Sequence, residues 1–411
     1  MSDDKYLISI IIPIYNAGDY LSGAFDSILN QTIGFERLEV IFADDSSSDG
    51  SAGRIDDLAA KYENVVALHA EGNSGYAGRQ RNRGVERATA PYLMFLDQDD
   101  AYYPDACKLL YEAASESGSD IASGCYSEYG PDGHCIAEIA GAYRNATAFH
   151  ISTVDDYPEV LKLHSGFWAK IYRRRLIEDH HIRFIEDSPV EDMVFFGEAV
   201  LCMSGYKYIE RPIVRYLVRN KGDDRSLSFK ATEESTRAVG RGYDELYRVF
   251  AGYGKEGYLK YIMFEKGEYY TTILLRWEYP GIDAAIGCVK GLHSIYEGIA
   301  RYSDETQTYA PATMTALVGE KRYEEAARFL LAAQHFSRRI DALREENAAL
   351  GRSFSDKLDK ARSKNQELKE KNRALSERLR LAEKSYGELQ RRLKHSIIIR
   401  ILNKIRGWRL F

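Results

Sequence analysis

The sequence predicts an α/β domain on a mostly parallel sheet, followed by an α-helical domain and a coiled coil. Three observations carry that expectation. Strand-like and helix-like segments alternate over residues 7–96, helix formers and tyrosines dominate 225–335, and an apolar seam recurs at steps of three and four over 336–393. Strand–helix–strand alternation implies right-handed crossovers and parallel pairing. The 411 residues are 45% hydrophobic and 29% charged, which suffices for a sizeable core and argues against global disorder. A formal net charge of −6 gives no support for a whole-protein nucleic-acid binder. Cys107, Cys125, Cys135, Cys202 and Cys288 form no C-x-x-C pair, which fits a reducing compartment better than a disulfide framework.

The elements follow in order. Leu7–Ile12 is a short β-branched run, read as a buried parallel strand. Asp19–Asn30 has helical spacing through Leu21, Phe25, Ile28 and Leu29. Leu38–Ala43 reads as a strand, Asp49–Tyr62 as a helix, Val65–His69 as a strand, Arg79–Ala88 as a helix and Tyr92–Leu96 as a strand. Met1 to Lys5 lack the basic and apolar regions of a signal peptide, and the run Leu7–Tyr15 is too short to span a membrane. A cytoplasmic protein is therefore expected.

Ligands of such sheets bind beyond the carboxyl ends of the strands. Polar clusters stand at those places: Pro13-Ile14-Tyr15-Asn16, Asp44-Asp45-Ser46, Asn73-Ser74-Gly75 with Arg79, Arg81 and Arg83, and Asp97-Gln98-Asp99-Asp100. An acidic loop after a strand is often just a helix cap, the plainer reading for Asp49. Four clusters on one sheet edge are harder to dismiss. The last is the sharpest, because three carboxylates follow the apolar Tyr92-Leu93-Met94-Phe95-Leu96 at once. Like charges this close repel, and burial raises their pKa values. A hard cation, Mg²⁺ or Mn²⁺, would relieve the repulsion while leaving positions for substrate phosphates. An acidic edge with such a metal suggests a diphosphate ligand; the alternative is a solvated turn ended by Pro104. His180-His181 and His69 have no partner at metal-ligand spacing. There is no G-x-G-x-x-G after a strand and no Walker A sequence, which weakens dehydrogenase and P-loop readings.

Ile10-Ile11-Ile12-Pro13-Ile14-Tyr15-Asn16, Asp44-Asp45-Ser46, Arg81-Asn82-Arg83-Gly84 and Phe95-Leu96-Asp97-Gln98-Asp99-Asp100 together resemble the successive blocks of the family 2 glycosyltransferases. The resemblance covers roughly residues 5 to 220. It implies a GT-A fold and an inverting transferase using a nucleotide-diphosphate sugar, UDP foremost and thymidine as the alternative, with a divalent metal. By position, Pro13, Tyr15 and Asn16 match the block lining base and ribose. Asp45 matches the aspartate that reads the base, with Asp44 its neighbour. Arg81 matches an arginine near the diphosphate, with Arg79 as a rival. Asp97 and Asp99 match the D-x-D aspartates, the second reaching the metal and the first more often the ribose. Val190-Glu191-Asp192-Met193 matches the Glu-Asp pair at a helix start, where the aspartate acts as catalytic base; the alternative is that Glu191 and Asp192 merely complement the helix dipole. Displacement with inversion needs a carboxylate to take the acceptor hydroxyl's proton, while metal and arginine neutralise charge on the leaving diphosphate. Gly166-Phe167-Trp168-Ala169-Lys170-Ile171-Tyr172 resembles a further block. Lys170 is either a donor or acceptor contact or a structural lysine, and core packing is favoured for Trp168.

The division expected is 1–224 transferase, 225–335 helical, 336–393 coiled coil and 394–411 a basic amphipathic tail. In the helical part, tyrosines such as Tyr243, Tyr247 and Tyr270 are read as packing residues, with glycan binding as the alternative. The seam runs Ile340, Leu343, Asn347, Leu350, Phe354, takes a four-residue step to Leu358, and resumes through Ala361, Asn365, Leu368, Asn372 and Leu375 to Leu393. Asparagines at a positions fix register, which predicts a parallel homodimer, with a trimer second. In the tail, Ile397, Ile398, Ile401, Leu402, Ile405 and Trp408 share one helical face, with Arg400, Lys404 and Arg409 off it. That pattern predicts a helix lying in a membrane surface, with a protein partner as the competing reading. The whole reads as a cytoplasmic-face glycosyltransferase acting on a glycan or lipid-linked acceptor. A nucleotide-sugar binding module without transfer activity and a coiled-coil scaffold are the other classes, and a nucleotidyltransferase is the weaker enzymatic one.

Overall fold

The computed structural model describes residues 5–140, 148–163, 166–219, 231–263, 266–302 and 309–407. The chain forms two compact units, Met1–Gln334 and His335–Phe411.

The first unit opens as β1 (Ile8–Ile14), α1 (Tyr20–Leu29), β2 (Leu38–Asp44), α2 (Ser51–Lys61), β3 (Val65–His69), α3 (Gly78–Arg87) and β4 (Tyr92–Phe95). These are the expected elements, displaced by at most two residues at their ends. β1, β2 and β4 are buried along their whole length, as strands covered on both faces must be. β1 pairs in parallel with β2 and β4, and β2 with β3. Pro13 sits inside β1, yet β1 meets β4 only from Ile8 to Ile11. The missing N–H therefore falls where β4 has already ended. Gly84 on α3 lets that helix close on β1: a Cβ there would collide with Ile11.

Beyond β4 the sheet becomes mixed. The elements are β5 (Ala101–Tyr102), α4 (Ala106–Ser117), β6 (Ile121–Tyr129), β7 (Cys135–Ala140), β8 (Phe149–Ile151), β9 (Lys170–Arg173), α5 (Arg174–Asp179), α6 (Glu191–Cys202) and β10 (Tyr206–Leu217). The strand order is β3-β2-β1-β4-β9-β6-β10-β5, with β7 on β6 and β8 on β10. β9 runs antiparallel to both β4 and β6, and β10 parallel to β6. The parallel half is thus the part written as strand–helix repeats, and the antiparallel strands enter where that repeat stops.

Helices α7 (Glu233–Gly252), α8 (Leu259–Met263), α9 (Lys266–Arg276), α10 (Ile282–Gly291), α11 (His293–Tyr302) and α12 (Tyr309–Gly319) follow. They share one apolar core with the sheet. α7 lies against the loop and helix that carry Glu191 and Asp192. A Cβ on Gly242 would strike Val190 and Ser188, and one on Gly197 would meet the Phe250 ring at 3.0 Å. Tyr243 and Tyr270 are buried, and Tyr247 donates to the Ser294 carbonyl at 3.0 Å, so these tyrosines pack as expected. Tyr253 and Tyr269 stay exposed. The five cysteines are unpaired.

The last helix, α13, runs Tyr323–Gly407, and the second unit consists of its part beyond Gln334. Leu343, Leu350, Phe354, Leu368, Leu375 and Leu379 of the seam are 42–73% exposed. The side chains of the tail from Lys394, and all of residues 408–411, lie outside the described residues. Among the described residues no helix is long and apolar enough to cross a membrane.

Candidate functional site

The site is built at the carboxyl ends of β1, β2 and β4, where three turns are tied together by hydrogen bonds. Asn16 and Ser46, just after β1 and β2, both have positive φ, +48° and +65°. Such a backbone is costly for residues with a Cβ, and surrounding bonds must hold it. They do: Asn16 N–H donates to Ser47 Oγ at 2.9 Å, and Ser48 N–H to Asn16 Oδ1 at 2.8 Å. Gln98 grips the β1 turn from the other side, accepting from Tyr15 N–H at 2.8 Å and donating to Tyr15 O at 3.0 Å. The Tyr15 ring itself is 48% exposed, an open aromatic face at the mouth.

Asp44 and Asp45 are both buried at the end of β2. Asp45 accepts from Ser74 N–H at 2.9 Å, Ser74 Oγ at 2.9 Å and Gln80 Nε2 at 2.6 Å. Asp44 accepts from Ser47 N–H at 3.1 Å and faces His69 Nδ1 at 3.3 Å. His69 also pairs with Asp56 at 2.9 Å; Asp56 first and Asp44 second raise its pKa above the ordinary imidazole value. His69 therefore has the carboxylate partners that sequence spacing did not reveal.

Arg81 is the hub. Its side chain is 4% exposed and forks between two carboxylates, Asp97 Oδ1 at 2.8 Å and Glu191 Oε1 at 2.5 Å. The guanidinium lies 3.8 Å from the Phe167 ring centre and 5.5 Å from that of Phe184. Phe184 in turn stacks on Phe195 at 3.9 Å and edges onto Phe95 at 5.2 Å. An apolar aromatic box makes each ion pair stronger than at a surface and makes losing one partner costly. Arg81 thus joins the D-x-D turn after β4 to the Glu-Asp pair at the start of α6, segments about a hundred residues apart in the chain. Asn82 secures the approach to that helix, donating to Phe184 O at 2.8 Å and accepting Phe184 N–H at 2.9 Å. Arg79, the alternative arginine, points elsewhere and pairs with Glu186 at 3.0 Å.

Glu191 and Asp192 stand in the first turn of α6. Burial pushes the Glu191 carboxyl up to about 7 against the pull of Arg81, and Glu191 Oε2 has no hydrogen-bond partner. Asp192 is only partly covered, and its Oδ1 accepts from Met193 N–H at 2.7 Å. Desolvation raises the Asp192 pKa, opposed by the Met193 N–H and by the charges of Arg81, Lys266 and Lys170. Lys170 is buried, donates to Gly166 O at 2.5 Å and lies 4.6 Å from the Phe196 ring centre. Desolvation lowers it to about 7, with Asp192 opposing. Trp168 is packed, stacked on Tyr216 at 5.5 Å and edge-on to Tyr126 at 4.7 Å.

In the D-x-D turn, Asp99 is held by Arg219 at 2.5 Å. Desolvation and the neighbouring Asp97 charge raise the Asp99 pKa. Asp100 is buried; its Oδ1 accepts from Leu217 N–H at 2.8 Å, while Oδ2 has no partner. Desolvation, then Asp99 and Asp97, raise the Asp100 pKa strongly. Among the described residues no three metal-ligating side chains converge into a preformed cage. The donor set is nevertheless oxygen-only, crowded with like charge and provided with an orphaned buried carboxylate oxygen. It fits a hard divalent cation that takes one or two carboxylates and completes its shell with water and phosphate.

The sequence reading named Ser74, Asn82 and Gln98 only as members of their clusters, without a role, and did not name Gln80 or Arg219. Gln98 was visible as the middle of D-x-D. Arg219 carries no local signal, lying beyond a strand that reaches the turn only through the sheet.

The model of the family described as Glycosyl transferase family 2 matches residues 9–179. The chain belongs to that family. It is 34% identical over 233 residues to glycosyltransferase GlyG of Streptococcus pneumoniae, covering 53% of this chain and 74% of that protein. It is 31% identical over 227 residues to a poly(ribitol-phosphate) beta-glucosyltransferase of Bacillus spizizenii, covering 55% of this chain and 34% of that protein. The chain spans less than two thirds of several of the curated relatives it matches, as in the second case. Among solved structures, residues 1–349 of Staphylococcus aureus TarS, in complex with UDP-GlcNAc, superpose with a TM-score of 0.61 at 18% identity, covering 81% of this chain and 92% of that one. That likeness establishes the GT-A fold with its helical continuation.

Proposed function

We propose that the chain is an inverting glycosyltransferase that moves a sugar from a nucleotide-diphosphate sugar, a UDP-sugar foremost, to a hydroxyl of a glycan or lipid-linked acceptor. The observation that supports it most is the Arg81 fork, which brings the D-x-D turn and the Glu191-Asp192 pair into one centre. In this reading Tyr15, Asn16, Asp44 and Asp45 hold base and ribose, with Pro13 shaping the strand end. Asp97 and Asp99 would hold Mn²⁺ or Mg²⁺, which supplies neutralising charge to the diphosphate. Asp192 Oδ2 takes the acceptor hydroxyl's proton as the new C–O bond forms. The bond to the diphosphate breaks with its electron pair leaving on the nucleotide. Glu191, tied to Arg81, fixes the helix turn that aims Asp192. The acceptors named for the Bacillus relative suggest a polyol-phosphate polymer as one acceptor class to try.

The domain limits at 224, 335 and 393 are part of the same proposal, as is a parallel homodimer formed through the exposed seam of α13. Peripheral binding to the cytoplasmic membrane face through the tail completes it, two tails adding avidity. The test is a panel of nucleotide sugars with Mn²⁺ or Mg²⁺, scored by thermal shift and by product. Release of nucleoside diphosphate supports transfer; release of pyrophosphate, or binding without turnover on any acceptor, contradicts it.

A further inference from the structure

The carboxylate assigned to the metal is paired with an arginine. Asp99 Oδ2 lies 2.5 Å from Arg219 Nη2, both side chains being largely covered, 13% and 22% exposed. Arg219 follows β10 by two residues, and its guanidinium stands 5.6 Å from the Tyr20 ring centre on α1. The same strand end clasps the turn again through Leu217 N–H and Asp100 Oδ1. The arginine thus stands just beyond a strand end that is itself bonded to the turn.

Mg²⁺ bound through that oxygen would sit at about 2.0–2.1 Å, closer than the guanidinium nitrogen. A metal taken through Oδ2 on the side of the guanidinium competes with Arg219 for that oxygen. We propose that Arg219 is a positioning residue that occupies the Asp99 cation site and yields it only when the metal arrives with the donor diphosphate. The diphosphate offers the displaced guanidinium a new anionic partner, so metal and nucleotide bind with positive coupling, and each strengthens the other by the same factor. This inference rests on the metal reading proposed above.

The test uses the full chain and Mn²⁺ alone, with free Mn²⁺ followed by electron paramagnetic resonance, in the absence and presence of UDP. Arg219→Gln should bind Mn²⁺ alone about tenfold more tightly than the unaltered chain, and the enhancement by UDP should shrink by about the same factor. Arg219→Lys, which keeps one charge but loses the fork, should fall between them; it also serves if the glutamine variant folds poorly, which thermal unfolding reveals. If Asp99→Asn abolishes Mn²⁺ binding while both Arg219 variants bind it no more tightly than the unaltered chain, the inference is overturned and the metal site stands. If none binds Mn²⁺ with or without UDP, the metal reading itself falls, and this inference with it.

Discussion

Around Tyr15, Asn16 and Ser47 the site is open to water and held by hydrogen bonds between loops rather than by ion pairs, with strained backbone at Asn16 and Ser46. Around Arg81 it is dry, aromatic and held by two ion pairs. The difference suits the two tasks that the proposed function assigns to the site. A nucleotide must enter and leave, so its side is exposed and its contacts are individually modest. Proton transfer and diphosphate departure need fixed charge in a low dielectric, so the other side is buried and its groups lean on one another. Changes on the dry side should be large and shared between stability and rate, while changes on the wet side should be small and confined to donor binding.

The largest effect is expected at Arg81. Arg81→Ala strands two carboxylates and should cost about 3–5 kcal/mol of unfolding stability, read by denaturant melts. Arg81→Lys should retain more stability but still lose most turnover, because one ammonium does not replace the fork. An Arg81→Ala protein as stable and active as the parent would erase the contrast between the two sides. On the wet side, Tyr15→Ala should raise the donor KM by about tenfold with little change in kcat, since a base stacked on a ring contributes about 1–3 kcal/mol. A collapse of kcat instead would mean that Tyr15 belongs with the buried half.

Smaller effects come from titration. A base works as its carboxylate, so activity should fall as pH drops through the Asp192 pKa; burial raises that pKa, and the acid limb of kcat/KM should lie above the ordinary aspartate range. Lys170 shifts the other way. Below about 7 it is charged in both folded and unfolded chains, so its burial cost is fully present. As pH rises from there toward the unfolded value of 10.5, the unfolded chain alone holds the proton and stability increases. The Tm difference between Lys170→Met and the parent should therefore favour the variant most at pH 6 and shrink steadily toward pH 9. A flat difference would mean that burial does not desolvate the Lys170 ammonium.

Much of this was legible in the sequence because it is local. The β1 to β4 repeat places its polar residues immediately after each strand, and an apolar strand followed by Asp97-Gln98-Asp99-Asp100 announces itself. What was not legible is long-range. No spacing rule links Arg81 to Glu191, Asn82 to Phe184 or Asp99 to Arg219, since each pair meets only after β9, α6 and β10 have packed. The mixed order of the sheet beyond β4 was hidden for the same reason: β9 is a four-residue strand whose place between β4 and β6 is set by tertiary pairing. Tyr243 and Tyr270 lie in the core, whereas Tyr258, only partly buried against it, donates to Asp155 at 2.9 Å, a partner from a short helical turn about a hundred residues earlier.

The central claim is that Asp192 removes the acceptor proton in a centre whose donor side is built separately. It is tested most directly by measuring, on one preparation of Asp192→Asn, both nucleotide-sugar affinity and nucleoside diphosphate release. The account predicts donor affinity within about twofold of the parent and turnover lower by about 10²–10⁴. Turnover that survives the substitution would contradict it.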